Sequence, residues 1–360
     1  MSVTTAPARR TSEPVSFTQA RLPRLAPVLV AVVAVAAAAL PVLLLDWGLV
    51  GWALVAGLVY LVALPAWARV VEGRRGAADR MVTGLVWAAC LVAIVPLVSL
   101  LYTVVDRGMA AISSTFLTYS MYRTDLDQEV GIYHALVGTL LITLGAAVIS
   151  VPIGIMAAIY LIEYGKGSRL ARWITFLVDV MTGIPSIVAG LFAFSLFILI
   201  FGPATRLGIG GSIALSVLML PTVIRSVEEM LKLVPDDLRE ASYALGVPRW
   251  RTIAKVVLPT AVAGIVTGIT LAIARVAGET APLLLILGTA RVANWNPFDG
   301  PVQTLPVYIF QSLGQTTHFK YGEIWTDRVW GAALFLIIIV MSLNLVARLV
   351  GKAFAPKTGR

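Results

Sequence analysis

The stretch "REASYALGVPRWRTIAKVVLPTAVAGIVTG", residues 239–268, begins as a charged, water-seeking helix and ends as an apolar one that only a lipid bilayer tolerates. That passage decides the class of fold. Across the chain 59% of residues are hydrophobic, 13% are charged and mean hydropathy is +0.89. A water-facing surface needs far more charge, so a soluble globule is excluded and the chain reads as an all-α integral membrane protein. A hydrocarbon core of about 30 Å takes about 20 helical residues to cross. Apolar runs of roughly that length lie near 26–45, 49–68, 81–105, 135–162, 174–201, 209–224, 259–287 and 330–347, giving eight spans, of which the sixth is short.

Basic residues test the topology, because cytoplasmic loops retain Lys and Arg. With the N-terminus inside, 21 of the 28 Lys and Arg fall on inner segments and 6 in outer loops, while Arg275 lies within a span. Both ends are therefore expected in the cytoplasm, and the net charge of +9 needs no nucleic acid to explain it. Residues 1–25 are polar and read as a disordered cytoplasmic tail ahead of a retained helix rather than a signal peptide; residues 351–360 form a second tail. "DWG" (46–48) joins the first two spans in a hairpin without ionisable residues in its interior, so with its basic loop the hairpin fills 26–80 and faces lipid or a neighbour. The single cysteine, Cys90, sits in an apolar run as a packing residue. Met109, Ile112, Phe116 and Leu117 are spaced for a short interfacial helix or a packed loop, and Trp295, Tyr308 and Trp325 suit a membrane interface.

Ahead of the seventh span, Pro235, Asp236 and Asp237 suit a helix N-terminus, and Gly246 is the residue able to take the left-handed turn that ends one. Between them Leu238, Ala241 and Leu245 share one face while Asp237, Arg239 and Glu240 point elsewhere, an apolar knob with a charged rim. Periodicity alone also fits a helix lying on the inner lipid surface. Two features weigh against that: the rim is acidic at its start, which anionic lipid repels, and Gly-Val-Pro leads at once into a helix continuous with the seventh span.

This stretch resembles the cytoplasmic signature loop of permease subunits of ABC importers: Glu-Ala-Ala, three residues, Gly, nine residues, then Ile, any residue, Leu-Pro. Here it stands as Glu240-Ala241-Ser242, Gly246, Val256 and Leu258-Pro259, with the spacing intact and Ser and Val as departures. The resemblance implies a coupling helix over 236–246, within a loop of 225–258, that docks on a separate ATPase. Pro235, Leu238, Glu240, Ala241, Leu245, Gly246, Leu258 and Pro259 would be its coupling residues.

In the seventh span, "IARVAGETAPLLL" (273–285) sets Arg275 and Glu279 four residues apart, on one helical face and about 6 Å apart along the axis. Ionisable groups in a span face a protein interior or an aqueous route. The pair either locks two helices together or forms an anion path, since a guanidinium grips an oxyanion through two hydrogen bonds. Arg225, at the inner end of the sixth span, is a positive-inside anchor or a second anion-attracting residue. "GETAPL" after an arginine resembles the phosphate-specific importer's PstA-type permease, as do "TGIPSIVAGLFAF" (182–194) and "LPTVIRSVEE" (220–229).

That resemblance covers about residues 81–350 and implies a six-span type I permease bundle in a bacterial inner membrane, preceded here by the additional two-span hairpin. It implies import of inorganic phosphate, or of another oxyanion such as sulfate or molybdate. It also implies partners: a related second permease (PstC type), two ATPase subunits (PstB type), an extracytoplasmic phosphate-binding protein (PstS type) and membrane lipid. No GxxxxGK[ST] phosphate loop occurs, so ATP and Mg are expected on the partner ATPase and no cofactor or metal in this chain. An intramembrane enzyme would need clustered catalytic groups, whereas His134 and His318 lie apart at outer edges. A secondary transporter could use Arg275 and Glu279 but would have no use for a docking helix.

Overall fold

Long apolar runs close their own backbone hydrogen bonds as helices, the only open-ended structure lipid permits. The computed structural model describes residues 21–45, 47–121, 131–203, 205–319 and 321–354, and all regular structure among them is helical. The expected tail over 1–25 lies outside the described residues except for 21–25, and of the tail 351–360 only 351–354 are described.

Two compact units divide at Leu101 and Tyr102. In the first, helices α1 (Ala26–Leu45) and α2 (Gly48–Val71) form the hairpin, turned at Gly48 with a φ of 63°. Ala26, Val30, Leu64 and Ala68 are buried in its small core. Helix α3 (Gly73–Ala111) starts in this unit. Its Arg80 donates to Glu72 Oε1 at 3.2 Å, and the Leu22 amide donates to the same oxygen at 2.8 Å. These hydrogen bonds, Arg80's foremost, hold the Glu72 carboxyl below the usual carboxylate range. Cys90 is exposed on α3, not packed, because the apolar run around it forms a helix that is exposed nearly all round.

The second unit contains the end of α3, α4 (Ser114–Thr118), α5 (Tyr133–Ile159, ending in a π-helical turn Tyr160–Tyr164), α6 (Arg169–Thr182), α7 (Ser186–Phe201), α8 (Gly208–Lys232) and α9 (Asp236–Ala244). It continues with α10 (Arg249–Thr252), a second π-helical turn (Ile253–Val257), α11 (Leu258–Ala277), α12 (Ala281–Ile286), α13 (Leu305–Leu313) and α14 (Gly322–Phe354). Ile142 of α5, Leu215, Met219 and Val223 of α8, and Leu283 and Leu287 by α12 make its core. Lipid tails are as apolar as these side chains, so close packing and interhelical hydrogen bonds hold the bundle. Ser150 Oγ donates to the Ser216 carbonyl and Ser212 Oγ to that of Ile142, both at 3.2 Å, pinning α5 to α8.

Among the described residues six helices are long and apolar enough to cross a membrane, and a seventh if α6 and α7 count as one broken span. One of the eight expected runs is not a simple span: whereas α1 is apolar throughout its 20 residues, the fifth is bent by 108° between α6 and α7. Gly183 and the Ile184–Pro185 step break it, since a residue before proline is disfavoured in the α region. The sixth, short by hydropathy, is full length because α8 runs on through Arg225, Glu228 and Lys232. Between α3 and α5, Ser113 caps the five-residue α4 and Phe116 is buried, as a packed segment rather than a surface helix. Trp295 is exposed, but Tyr308 and Trp325, which were expected at the interface with it, are buried. Tyr308 packs edge-on against His134 at 5.7 Å, and Trp325 lies under Arg328 at 5.5 Å.

Candidate functional site

Helix α9 starts after Pro235, with Asp236 and Asp237 in its first turn. It ends in a Schellman motif: the Gly246 amide donates to the Tyr243 carbonyl at 2.9 Å, and the Val247 amide to that of Ser242 at 3.2 Å. Gly246 has a φ of 73°, the left-handed turn its sequence position predicts. The expected apolar knob is present and points outward: Leu238 is 41% and Leu245 84% exposed, and Glu240 and Ala241 are exposed beside them. Leu233 and Trp250 extend the patch on either side. Leu258 and Pro259 do not sit with these residues. They open α11 inside the continuous helix Arg249–Ala277, where proline lacks the amide a regular turn would use and the π-helical turn precedes it.

Arg239 departs from the expected charged rim. It is 9% exposed and faces the bundle with Ser242 at 8%, so α9 is amphipathic in reverse, with leucine outside and guanidinium inside. Nε and Nη2 of Arg239 each donate to Glu163 Oε1 at 3.1 Å, and Nη2 donates to the Leu231 carbonyl at 2.9 Å. Nη1 donates to the Val234 carbonyl at 2.6 Å and to Asp236 Oδ1 at 3.0 Å.

The stretches "TGIPS" and "GETAP" are both helix breaks. The seventh apolar run is not one helix to residue 287: α11 ends at Ala277 with Gly278 as its cap, and α12 starts at Ala281. Arg275 is therefore in the last turn and Glu279 beyond it, so the two do not share a helical face as a straight helix would require. Arg275 is exposed and Glu279 half-buried, and among the described residues neither side chain has an ion pair. Helix α12 packs on α7 so closely that a Cβ on Gly190 would lie 2.5 Å from Pro282 Cα. Arg206 holds the far end of α12 by donating to the Leu285 carbonyl while stacking 4.9 Å over Phe194.

Arg225 is not a free cation at a mouth. Its guanidinium is shared by Asp179 of α6 and by Glu228, the latter at 2.8 Å, while Lys232 bonds the other oxygen of Glu228 at 2.7 Å. It braces the broken fifth helix against α8.

Residues 150–360 match the family described as "Binding-protein-dependent transport system inner membrane component". The phosphate transport system permease protein PstA 1 of Mycobacterium tuberculosis is 47% identical over 279 residues, 77% of this chain and 90% of that protein. PstA of Yersinia pestis is 40% identical over 273 residues, 75% and 85% of the two chains. The chain belongs to this family, among its PstA-type phosphate permeases. A bacterial alginate ABC transporter, solved with an alginate pentasaccharide-bound periplasmic protein, shares the fold at a TM-score of 0.51 and 15% identity, covering 80% of this permease and all of that chain.

Within the PstA-type permease the signature's serine departure has a physical role. Ser242 Oγ meets Thr252 Oγ1 at 2.8 Å, a buried bond that alanine could not make. Glu163, Asp179 and Thr252 escape sequence reasoning because their partners are distant or turned inward.

Proposed function

We propose that this chain is the membrane-spanning subunit through which an ATP-driven importer moves inorganic phosphate into the cytoplasm. The observation that carries the reading is α9, whose apolar face stands outward on a bonded base instead of packing into the bundle. A helix so presented is a docking element, and Leu238, Ala241 and Leu245 are its contact, with Glu240 at the rim and Gly246 setting its angle. The ATPase subunits it meets (PstB type) hold ATP and Mg. A second permease (PstC type) and an extracytoplasmic phosphate-binding protein (PstS type) complete the assembly. Both ends of the chain then lie in the cytoplasm, on the same side as α9.

Phosphate passes Arg275. A guanidinium offers an oxyanion two parallel hydrogen bonds, and its place at the carboxyl end of α11 favours a cation there. Glu279, past the helix end, accepts a hydrogen bond from a protonated phosphate oxygen but repels fully ionised sulfate. It also keeps Arg275 from holding the anion too long. Arg225 keeps α6 in place beside this route.

Uptake of labelled phosphate by cells expressing the full importer, with sulfate and molybdate as competitors, tests the reading. Phosphate uptake insensitive to both supports it; competition by sulfate or molybdate at equal concentration would make the substrate another oxyanion.

A further inference from the structure

A docking helix needs an apolar outer face, but nothing in docking requires a buried arginine beneath it. A hydrophobic residue would seat α9 on the bundle as well or better, since a buried ion pair rarely stabilises more than well-packed apolar groups do. What a saturated guanidinium adds is direction. Its five N–H groups lie in a fixed plane, and in Arg239 all five bonds are made. The acceptors belong to three separate pieces of chain: the π-helical turn at the end of α5, the final turn of α8 with the residues after it, and the first turn of α9 itself.

One further contact ties the same elbow to the same helix end, and another stiffens the elbow itself. Arg249, first residue of α10, stacks 5.8 Å over the Tyr164 ring in that π-helical turn. The Ser242–Thr252 hydroxyl bond locks α9 to α10 across the Gly246 turn. Both π-helical turns of the described residues adjoin this joint. Such turns carry one residue more than the α-helix around them and are where a helix can shift register.

We infer that Arg239, through Glu163, is the positioning residue that transmits displacement of the docking helix into α5. The inference rests on α9 being the docking helix and goes beyond it, since docking and transmission can be separated. With the strut intact, α9 cannot swing about Pro235 and Gly246 without dragging the end of α5. That helix is pinned along its length to α8 by Ser150 and Ser212. Without the strut, α9 moves alone.

The test uses the complete importer in proteoliposomes with phosphate-loaded binding protein. It compares wild type, Glu163→Gln, Arg239→Lys and Glu163→Asp. Glu163→Gln removes the charge but keeps an acceptor of the same shape. It is expected to leave the amount of co-purified ATPase within about twofold of wild type while phosphate moved per ATP hydrolysed falls at least tenfold. Arg239→Lys, with fewer donors and no fixed plane, should fall at least as far, and Glu163→Asp should recover part of the loss. If the Gln variant fails to accumulate, Arg239→Lys carries the same reading. Unchanged phosphate per ATP in these variants overturns the inference. So does loss of co-purified ATPase in step with transport, which would make the pair a support for the docking face alone. If wild type itself retains no ATPase, it is the docking reading that fails.

Discussion

The Ser242 hydroxyl meets the Thr252 hydroxyl at 2.8 Å across the turn between α9 and α10, and both residues are buried. This bond exists only because the third residue of the signature is serine. Ser242→Ala deletes it, yet Thr252 can still donate to the Pro248 carbonyl at 3.5 Å, so the expected cost is about 1 kcal/mol with transport retained. Thermal unfolding of the purified permease reads it, and an unchanged midpoint would mean the hydroxyl pair contributes nothing.

Gly246→Val should abolish transport and leave membrane insertion intact. Nothing lies within 4 Å of a Cβ built at Gly246, so the effect is purely conformational. A left-handed residue with a Cβ costs about 1–2 kcal/mol, and relieving that strain turns α9 away. Full phosphate uptake by a normally inserted variant would refute the geometric role.

Leu245→Asp should fail for a different reason. The residue is 84% exposed, so the isolated permease folds unchanged, while a carboxylate buried in an apolar contact is costly. Co-purification of the ATPase is expected to drop with unfolding temperature unaltered.

For the anion route, Arg275→Lys should reduce uptake roughly tenfold to a hundredfold, corresponding to about 1.5–3 kcal/mol for a charged hydrogen bond, because an ammonium cannot reproduce the fork. Glu279→Gln should retain phosphate uptake and become inhibited by sulfate. Wild-type behaviour toward sulfate would take Glu279 out of the anion route.

Gly190→Ala places a methyl 2.5 Å from a backbone carbon of Pro282, which no side-chain rotation relieves. A loss of about 1–3 kcal/mol is expected from the overpacking, measured as a lower unfolding midpoint. Gly183→Ala is the control: its nearest neighbour is the Val180 carbonyl oxygen at 3.5 Å, and it should be close to neutral.

Most of the long apolar helices, and α9 with its Gly246 turn, were legible in the sequence because each rests on a local rule, apolar length in one case and cap chemistry in the other. Arg239 was not, because a charged residue on a short amphipathic helix is assigned to water unless its partner is known. That partner, Glu163, is 76 residues away. The breaks at Gly183–Pro185 and Gly278–Thr280 are hidden in hydropathy, which averages over a helix and is blind to its direction. Arg275 and Glu279 were therefore placed on one face of a helix that ends between them. Tyr308 and Trp325 looked interfacial by residue type, and only the tertiary arrangement of His134 and Arg328 explains their burial.

The outward leucines of α9 have a consequence before any transport begins. A newly made subunit exposes Leu233, Leu238, Leu245 and Trp250 at one end until something covers them, and such greasy, water-facing residues are what chaperones and proteases select. This exposed face is thus also a tag of incompleteness, expected to give an orphan subunit a short life in the cell and an assembled one a long life. Supply of the ATPase would then set how much permease persists.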